Sequence, residues 1–222
     1  MAPDMLISLL WKALLQTAHM VFVSGIVGTL IGLPIGVFLA TSNRGELFPA
    51  PTLNKVVGAI VNATRSTPFI ILVVAIIPFT RMIAGTSIGT TAAIVPLTIA
   101  TIPFIARLIE SSIREVDRGL IEAARAMGAT PIQIVSKVLL PEALPSIVLA
   151  LTLTLVSLVG YSAMVGAVGG GGLGDLGIRY GYQRFMPEVM LAVVVVLIVV
   201  VQAIQSAGDM LARRFDKRTR KN

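Results

Sequence analysis

The chain has 222 residues, of which 55% are hydrophobic and only 13% charged, with a formal net charge of +7. Soluble domains carry about 25% charged residues, so a composition this apolar, with a mean hydropathy of +0.90, excludes an ordinary soluble enzyme. The sequence contains no cysteine, which excludes disulfides, a thiolate nucleophile and a thiolate metal site. Long runs without charge then set the class. Ala13 to Asn43 carries only His19, and Ser66 to Thr80, Met82 to Ala106, Ala143 to Gly174 and Val189 to Gly208 carry no formal charge. Four of these runs reach the length of a membrane-crossing helix, on the order of 20 residues. The expectation is an all-α polytopic membrane protein.

Residues 1–16 read as an interfacial helix, with Asp4 as its cap and Leu6, Leu9, Leu10, Ala13 and Leu14 on one stripe. Trp11 and Lys12 suit the headgroup zone. The stretch lacks the basic start and small-residue cleavage site of a signal peptide. His19 is the sole histidine, so no histidine metal cluster is expected. The first span is expected at about 17–40, with Gly25, Gly28, Gly32 and Gly36 forming a small-residue stripe for close packing. Pro34 is expected to bend it. Pro49 and Pro51 mark a loop, and Leu53 to Thr64 reads as a short interfacial helix.

Arg65-Ser66-Thr67-Pro68 starts the second span, at about 67–82, with Ser66 or Thr67 as cap and Pro68 in the first turn. The third span, about 88–109, is interrupted by Pro96 and Pro103; Thr90, Thr91, Thr98 and Thr101 can bond freed backbone groups. A polar segment follows, about 110–141, whose core reads GLIEAARAMGATPIQIVSKVLLP from Gly119 to Pro141. Leu120, Ala123, Ala124 and Met127 fall on one helical stripe, and Arg118, Glu122 and Arg125 lie opposite. Gly128 stops this helix. Thr130 and Gln133 form a capping box around Pro131, starting a second short helix that ends near Leu140-Pro141. On these grounds alone the segment is either a docking knob or an ordinary amphipathic interfacial loop.

The fourth span is expected at about 142–167. The run Gly166 to Asp175 is rich in glycine, but no G-x-x-x-x-G-K-[ST] pattern follows, so a phosphate loop is excluded. It reads as tight backbone that must be covered by protein or line a cavity. RYGYQR, Arg179 to Arg184, is a polar and aromatic loop. The fifth span is expected at about 187–207, followed by a basic tail at 208–222 that sits near anionic lipid.

The spelling of the polar segment carries a resemblance. Glu122-Ala123-Ala124, Gly128, Val138 and Leu140-Pro141, at fixed spacing, resemble the cytoplasmic coupling loop of ABC importer permeases; the usual isoleucine is Val138 here. Arg65-Ser66-Thr67-Pro68 resembles the start of a core helix in these permeases, although Arg65 also suits a headgroup anchor. Asn62 to Leu72, the coupling stretch and Tyr161 to Leu176 are similar to the permeases of bacterial methionine ABC importers, and the likeness covers nearly the whole chain. The resemblance implies a type I ABC importer permease fold, with five transmembrane helices and cytoplasmic coupling helices. It implies a multi-pass inner-membrane location, an outer N-terminus and a cytoplasmic C-terminus. The implied partners are a second copy of the chain, two ATP-binding subunits and an external substrate-binding lipoprotein. Methionine, including its D-enantiomer, is the implied substrate.

With the coupling loop in the cytoplasm and five spans, 14 of the 18 Lys and Arg fall on the cytoplasmic side; only Lys12, Arg81, Arg179 and Arg184 lie outside. This is the positive-inside bias, so the basic balance sets topology and does not indicate nucleic acid. The chain is expected to be no enzyme and to hold no cofactor or metal; having no Walker A motif, it is not expected to hydrolyse ATP, and ATP and magnesium belong on the partner subunit. No Asp, Glu or Lys lies deep in an expected span, which leaves an ion-coupled secondary transporter without its usual groups. That reading, a permease for another small amino acid or peptide, and a non-transporting scaffold remain the alternatives. The expected ATPase-coupling residues are Leu120, Glu122, Ala123, Ala124, Met127, Gly128, Leu140 and Pro141. Glu122 would orient the docking helix, Ala123 and Ala124 would allow close approach, and Leu120 and Met127 would be apolar anchors. No substrate-binding residue is assignable; Met164 could line a pathway or simply pack.

Overall fold

The structure is a computed structural model that describes residues 3–215. Among the described residues it is all helical: α1 (Pro3–Thr41), α2 (Pro51–Ser66), α3 (Phe69–Ala75), α4 (Ile77–Ala84), α5 (Thr90–Arg114), α6 (Arg118–Ala126), α7 (Pro131–Ile134), α8 (Leu140–Ala167), α9 (Gly172–Leu176) and α10 (Pro187–Phe215), with wide π turns at Val135–Leu139 and Gly177–Tyr182. Four stretches are long and apolar enough to cross a membrane: Asp4–Thr41, Thr90–Arg114, Pro131–Ala167 and Pro187–Phe215. Taken together, α2 and α3, bent by 101° at their junction, also meet that length and composition.

Several expected boundaries differ. The interfacial helix and first span are one helix, because nothing near Gln16 and Thr17 breaks the ladder: no glycine, no proline and no competing cap. The expected second span is instead two short helices. Ile76 sits at φ −96 and ψ 12, outside helical geometry, and Pro78 follows near the start of α4. Pro68 occupies the cap of α3 with extended geometry, φ −56 and ψ 132, so that helix begins one residue later and has no side-chain cap bond. At the far end, α10 continues to Phe215 through part of the expected tail. The rest of that tail, 216–222, lies outside the described residues.

The chain divides into two compact units. One gathers Met1–Gly28, Thr67–Thr101 and Thr154–Gln205; the other gathers Thr29–Ser66, Ile102–Leu153 and Ser206–Asn222. In the first, Met20, Val21, Val73, Ala93, Leu97, Leu158, Val159 and Val165 form a core, and Ala13, Leu173, Leu176, Val189 and Val193 form a second. Phe69 stacks on Tyr161 with ring centroids 4.5 Å apart. The glycine-rich run is tight backbone covered by side chains. Gly169, Gly171 and Gly172 have positive φ, and the Gly172 and Leu173 amides donate to Gln16 Oε1 at 3.0 Å and Thr17 Oγ1 at 2.9 Å. A Cβ on Gly172 would stand 2.6 Å from Thr17 Oγ1. Only glycine accommodates both the sign of φ and that approach.

In the second unit, α1 lies against α5 through Gly32 and Gly36. A Cβ there would meet the Ile102 carbonyl at 2.8 Å and the Ala106 carbonyl at 2.6 Å. The glycine stripe therefore serves two partners, since Gly25 in the first unit faces Leu155 and Leu158 of α8. The threonines of α5 lie in the first unit, where Thr101 donates to the Leu97 carbonyl at 2.6 Å. Thr98 Oγ1 is buried without a partner.

Candidate functional site

The polar segment is built outward from the core of the second unit. Ile113, Val116, Ala124, Ile134, Leu139, Ala143 and Ile147 pack with Ala40, Leu47, Ile105 and Ile109. Burial of this face, at about 25 cal/mol per Å² of apolar surface, holds both short helices in place; neither is long enough to be stable alone.

Each end of α6 is closed by its own sequence. Asp117 is the N-cap, and its Oδ1 accepts from the Gly119 amide at 2.6 Å. At the other end Gly128 has φ +81. The Gly128 amide donates to the Arg125 carbonyl at 2.9 Å and the Ala129 amide to the Ala124 carbonyl at 3.0 Å. This pair of bonds is a Schellman cap, which satisfies the last carbonyls. The expected capping box of α7 is present: Thr130 Oγ1 accepts from the Gln133 amide, and Gln133 Oε1 accepts from the Thr130 amide at 2.9 Å. Pro131 occupies the first helical position.

The expectation that the second helix ends near Leu140-Pro141 is corrected. The helix passes through the π turn at Val135–Leu139 into α8 without a stop. The physical reason is Pro141, whose ring would clash with the carbonyl four residues back, at Lys137, in a regular helix. The wider turn, which places Lys137 inside it, relieves that clash and keeps the axis running. Leu140 and Pro141 are half-buried in this continuous rod, not on an exposed docking face.

The expected apolar stripe of α6 splits between two directions. Ala124 turns inward and is only 4% exposed, so it meets this chain's own core and cannot give close approach to another protein. Leu120, Ala123 and Met127 face outward with Glu122, and Met127 is 81% exposed. Gly128 is exposed, and a Cβ added there would meet no atom within 4 Å. Ile132, 71% exposed at the start of α7, joins this outward set. Sequence reading missed Ile132 because its helix has a single turn and no measurable period. It also missed Asp117, which stands just before the first residue of α6 and is visible as an ordinary N-cap type.

A second missed feature lies on α5. Glu110 is 6% exposed and bridges Arg107, three residues before it, and Arg114, four residues after it. The spacing R-x-x-E-x-x-x-R was its sequence signal. Among the described residues no group of three or more His, Cys, Asp or Glu could hold a metal ion. Met164, on α8, is exposed in the chain.

Apolar helices of membrane-crossing length, carrying an exposed and doubly capped helix pair, define a class: a multi-pass membrane protein. The chain belongs to the family of binding-protein-dependent transport system inner membrane components, whose profile matches residues 32–221. It is 58% identical over 215 residues to the "Probable D-methionine transport system permease protein MetI" of Vibrio cholerae, covering 97% of this chain and 94% of that one. It is 59% identical over 158 residues to the D-methionine transport system permease protein MetI of Escherichia coli K12, covering 71% and 73% of the two chains. Among solved structures, a chain from inward-facing conformations of the MetNI methionine ABC transporter is 54% identical with a TM-score of 0.95, covering 98% of this chain and all 100% of that one. An amino acid ABC transporter solved with histidines, 24% identical with a TM-score of 0.77, shares the fold. The fold is thus that of a type I ABC importer permease.

Proposed function

We propose that the chain is the permease subunit of an ATP-driven importer that moves methionine, including D-methionine, across the inner membrane by alternating access. The observation that carries this is the outward apolar set Leu120, Ala123, Met127 and Ile132 on a rigidly capped helix pair, in a chain similar over 97% of its length to a methionine permease. A second copy of the chain pairs with it, and two ATP-binding subunits receive the α6–α7 segment in a surface cleft. An external lipoprotein delivers the substrate. ATP and magnesium sit on the partner subunits.

Five spans cross the membrane, at about 17–40, 67–82, 88–109, 142–167 and 187–207. Helix α2 carries Lys55 and Arg65, so the second crossing is assigned to the broken α3–α4 pair in place of the bent α2–α3 pair. The N-terminus is outside and the C-terminus cytoplasmic, which keeps the basic residues inside. ATP binding closes the ATPase pair and moves α6. The displacement passes into α5 and α8, which continue the docking segment covalently on either side. Met127 and Ile132 anchor the contact, Leu120 and Ala123 complete it, and Glu122 orients it by polar contacts. Gly128 sets the angle between the two short helices. Ala124, Leu140 and Pro141 hold the segment from beneath.

The test is reconstitution. The chain is placed in liposomes with its ATP-binding subunit, and labelled methionine is presented on the lipoprotein. Uptake should require ATP. Uptake by the chain alone under an ion gradient would instead support a secondary transporter, and ATP-driven uptake of another amino acid in preference to methionine would change the substrate.

A further inference from the structure

Arg107 makes three side-chain hydrogen bonds in the second unit. Its Nε donates to Asn62 Oδ1 at 3.1 Å and its Nη2 to the Gly58 carbonyl at 3.2 Å, both on α2. Its Nη1 donates to Glu110 Oε2. Glu110 Oε1 in turn accepts from Arg114 Nη2 at 2.8 Å. Arg114 is the last residue of α5, and only Glu115 and Val116 separate it from Asp117, the cap of α6. A chain of charge-assisted bonds therefore runs from the middle of α2, along one face of α5, to the base of the exposed docking helix.

Burial differs sharply along this chain. The Glu110 side chain is 7% exposed, against 26% for Arg107 and 50% for Arg114. The carboxylate is the enclosed member, with both oxygens occupied by different arginines. The helix α2 that it reaches has its own division of faces. Asn54, Gly58 and Val61 are buried, while Leu53, Val56 and Ile60 are 54%, 52% and 61% exposed. Arg107 grips α2 at the buried Gly58 and at the exposed Asn62. A Cβ on Gly58 would stand 3.4 Å from Arg107 Nη2, an ordinary contact distance.

We propose that Glu110 is a positioning residue, the centre of an ionic relay that makes α2 follow the docking helix. The inference rests on the functional reading above and adds to it a second line of transmission. The covalent line runs from α6 into α5 and α8; along α5 Glu110 ties Arg114 to Arg107, and Arg107 alone carries the line sideways to α2. Helix α2 leads through Arg65 to Pro68 into the broken α3–α4 pair, so a displacement of α2 reaches a crossing that the docking segment does not adjoin in sequence. The device needs charge as well as shape. A neutral amide at position 110 would keep the side-chain volume but leave two guanidiniums facing each other around a buried site. Arg107 would then lose the carboxylate that holds its guanidinium against α2.

The test uses the assembled complex of permease, ATP-binding subunit and lipoprotein in liposomes, comparing methionine taken up per ATP hydrolysed. Glu110→Gln should retain at least half of the ATPase rate while uptake per ATP falls about tenfold. Asn62→Ala, which removes one grip on α2 without burying an unpaired charge, should lower the same ratio by about threefold. A ratio unchanged within twofold in assembled Glu110→Gln overturns the relay. So does a parallel fall of ATPase and uptake at a constant ratio, because that is the behaviour of a purely structural pair. If Glu110→Gln does not assemble, the ratio measured for Asn62→Ala decides by the same criteria. Wild-type complex run in parallel separates the two levels of inference. A wild type without ATP-driven methionine uptake removes the functional reading, whereas an active wild type with an unaltered ratio in the variants removes only the relay.

Discussion

Gly128 and Gly36 are both glycines, but for different physical reasons, and substitution separates them. Gly128 has φ +81 and open space where a side chain would project. A substituent there costs backbone strain of about 1 kcal/mol for alanine, and more for a β-branched residue. Gly128→Val should therefore re-aim the docking pair and abolish ATP-coupled uptake, with membrane insertion intact; equal coupling by an inserted Gly128→Val would remove the hinge. Gly36 has ordinary backbone, but a Cβ added there would stand 2.6 Å from the Ala106 carbonyl oxygen. Gly36→Ala should push α1 from α5 and destabilise by about 1–3 kcal/mol, read as a lower melting temperature of the purified complex. At the exposed surface, truncating a buried anchor of an interface can cost about 2 kcal/mol or more. Met127→Ala should weaken binding of the ATP-binding subunit by at least tenfold in a pull-down titration, while Ala124→Ser, on the inward face, should leave that affinity within about threefold.

The short elements owe their existence to caps and to the core beneath them. A single-turn helix such as α7 has too few internal bonds to persist alone, and its capping box supplies two of the missing partners. Thr130→Ala should destabilise by about 1 kcal/mol, and Thr130→Ser should restore most of that loss, as measured by thermal unfolding of the assembled complex. Most of this was legible from the residues: Gly128, Thr130, Pro131 and Gln133 act locally, and each took the role its chemistry dictates. The continuation of α7 into α8 was not legible, because a proline reads as a stop wherever the preceding turn cannot widen. Here Val135–Leu139 widens into a π turn, and tertiary packing of Leu139, Ala143 and Ile147 stabilises it. Asp117 was readable and missed, since its cap lies outside the apolar period that defined the helix.

For the whole molecule, charge asymmetry and span number make a single topological prediction. The native chain has no cysteine, so introduced cysteines report without background. Met127→Cys should react with an impermeant thiol reagent only after the membrane is opened, and Phe185→Cys should react from outside in intact cells. Both sites are exposed, at 81% and 85%. Reaction of both from the same side would overturn the five-span arrangement. By itself the sequence determined the class, the approximate positions of the long spans, and the polar helix pair with its Gly128 stop and Thr130–Gln133 capping box. These follow from composition, from apolar run length and from interactions within about five residues along the chain. Only the tertiary structure decided which apolar residues of α6 face inward, because helical spacing defines a stripe but not what covers it. It also decided that the α1 glycines serve two different partners and that Arg107 joins α5 to α2, 45 residues away in sequence at Asn62. Such pairings depend on close packing of distant segments, whose surfaces have no signature until they meet.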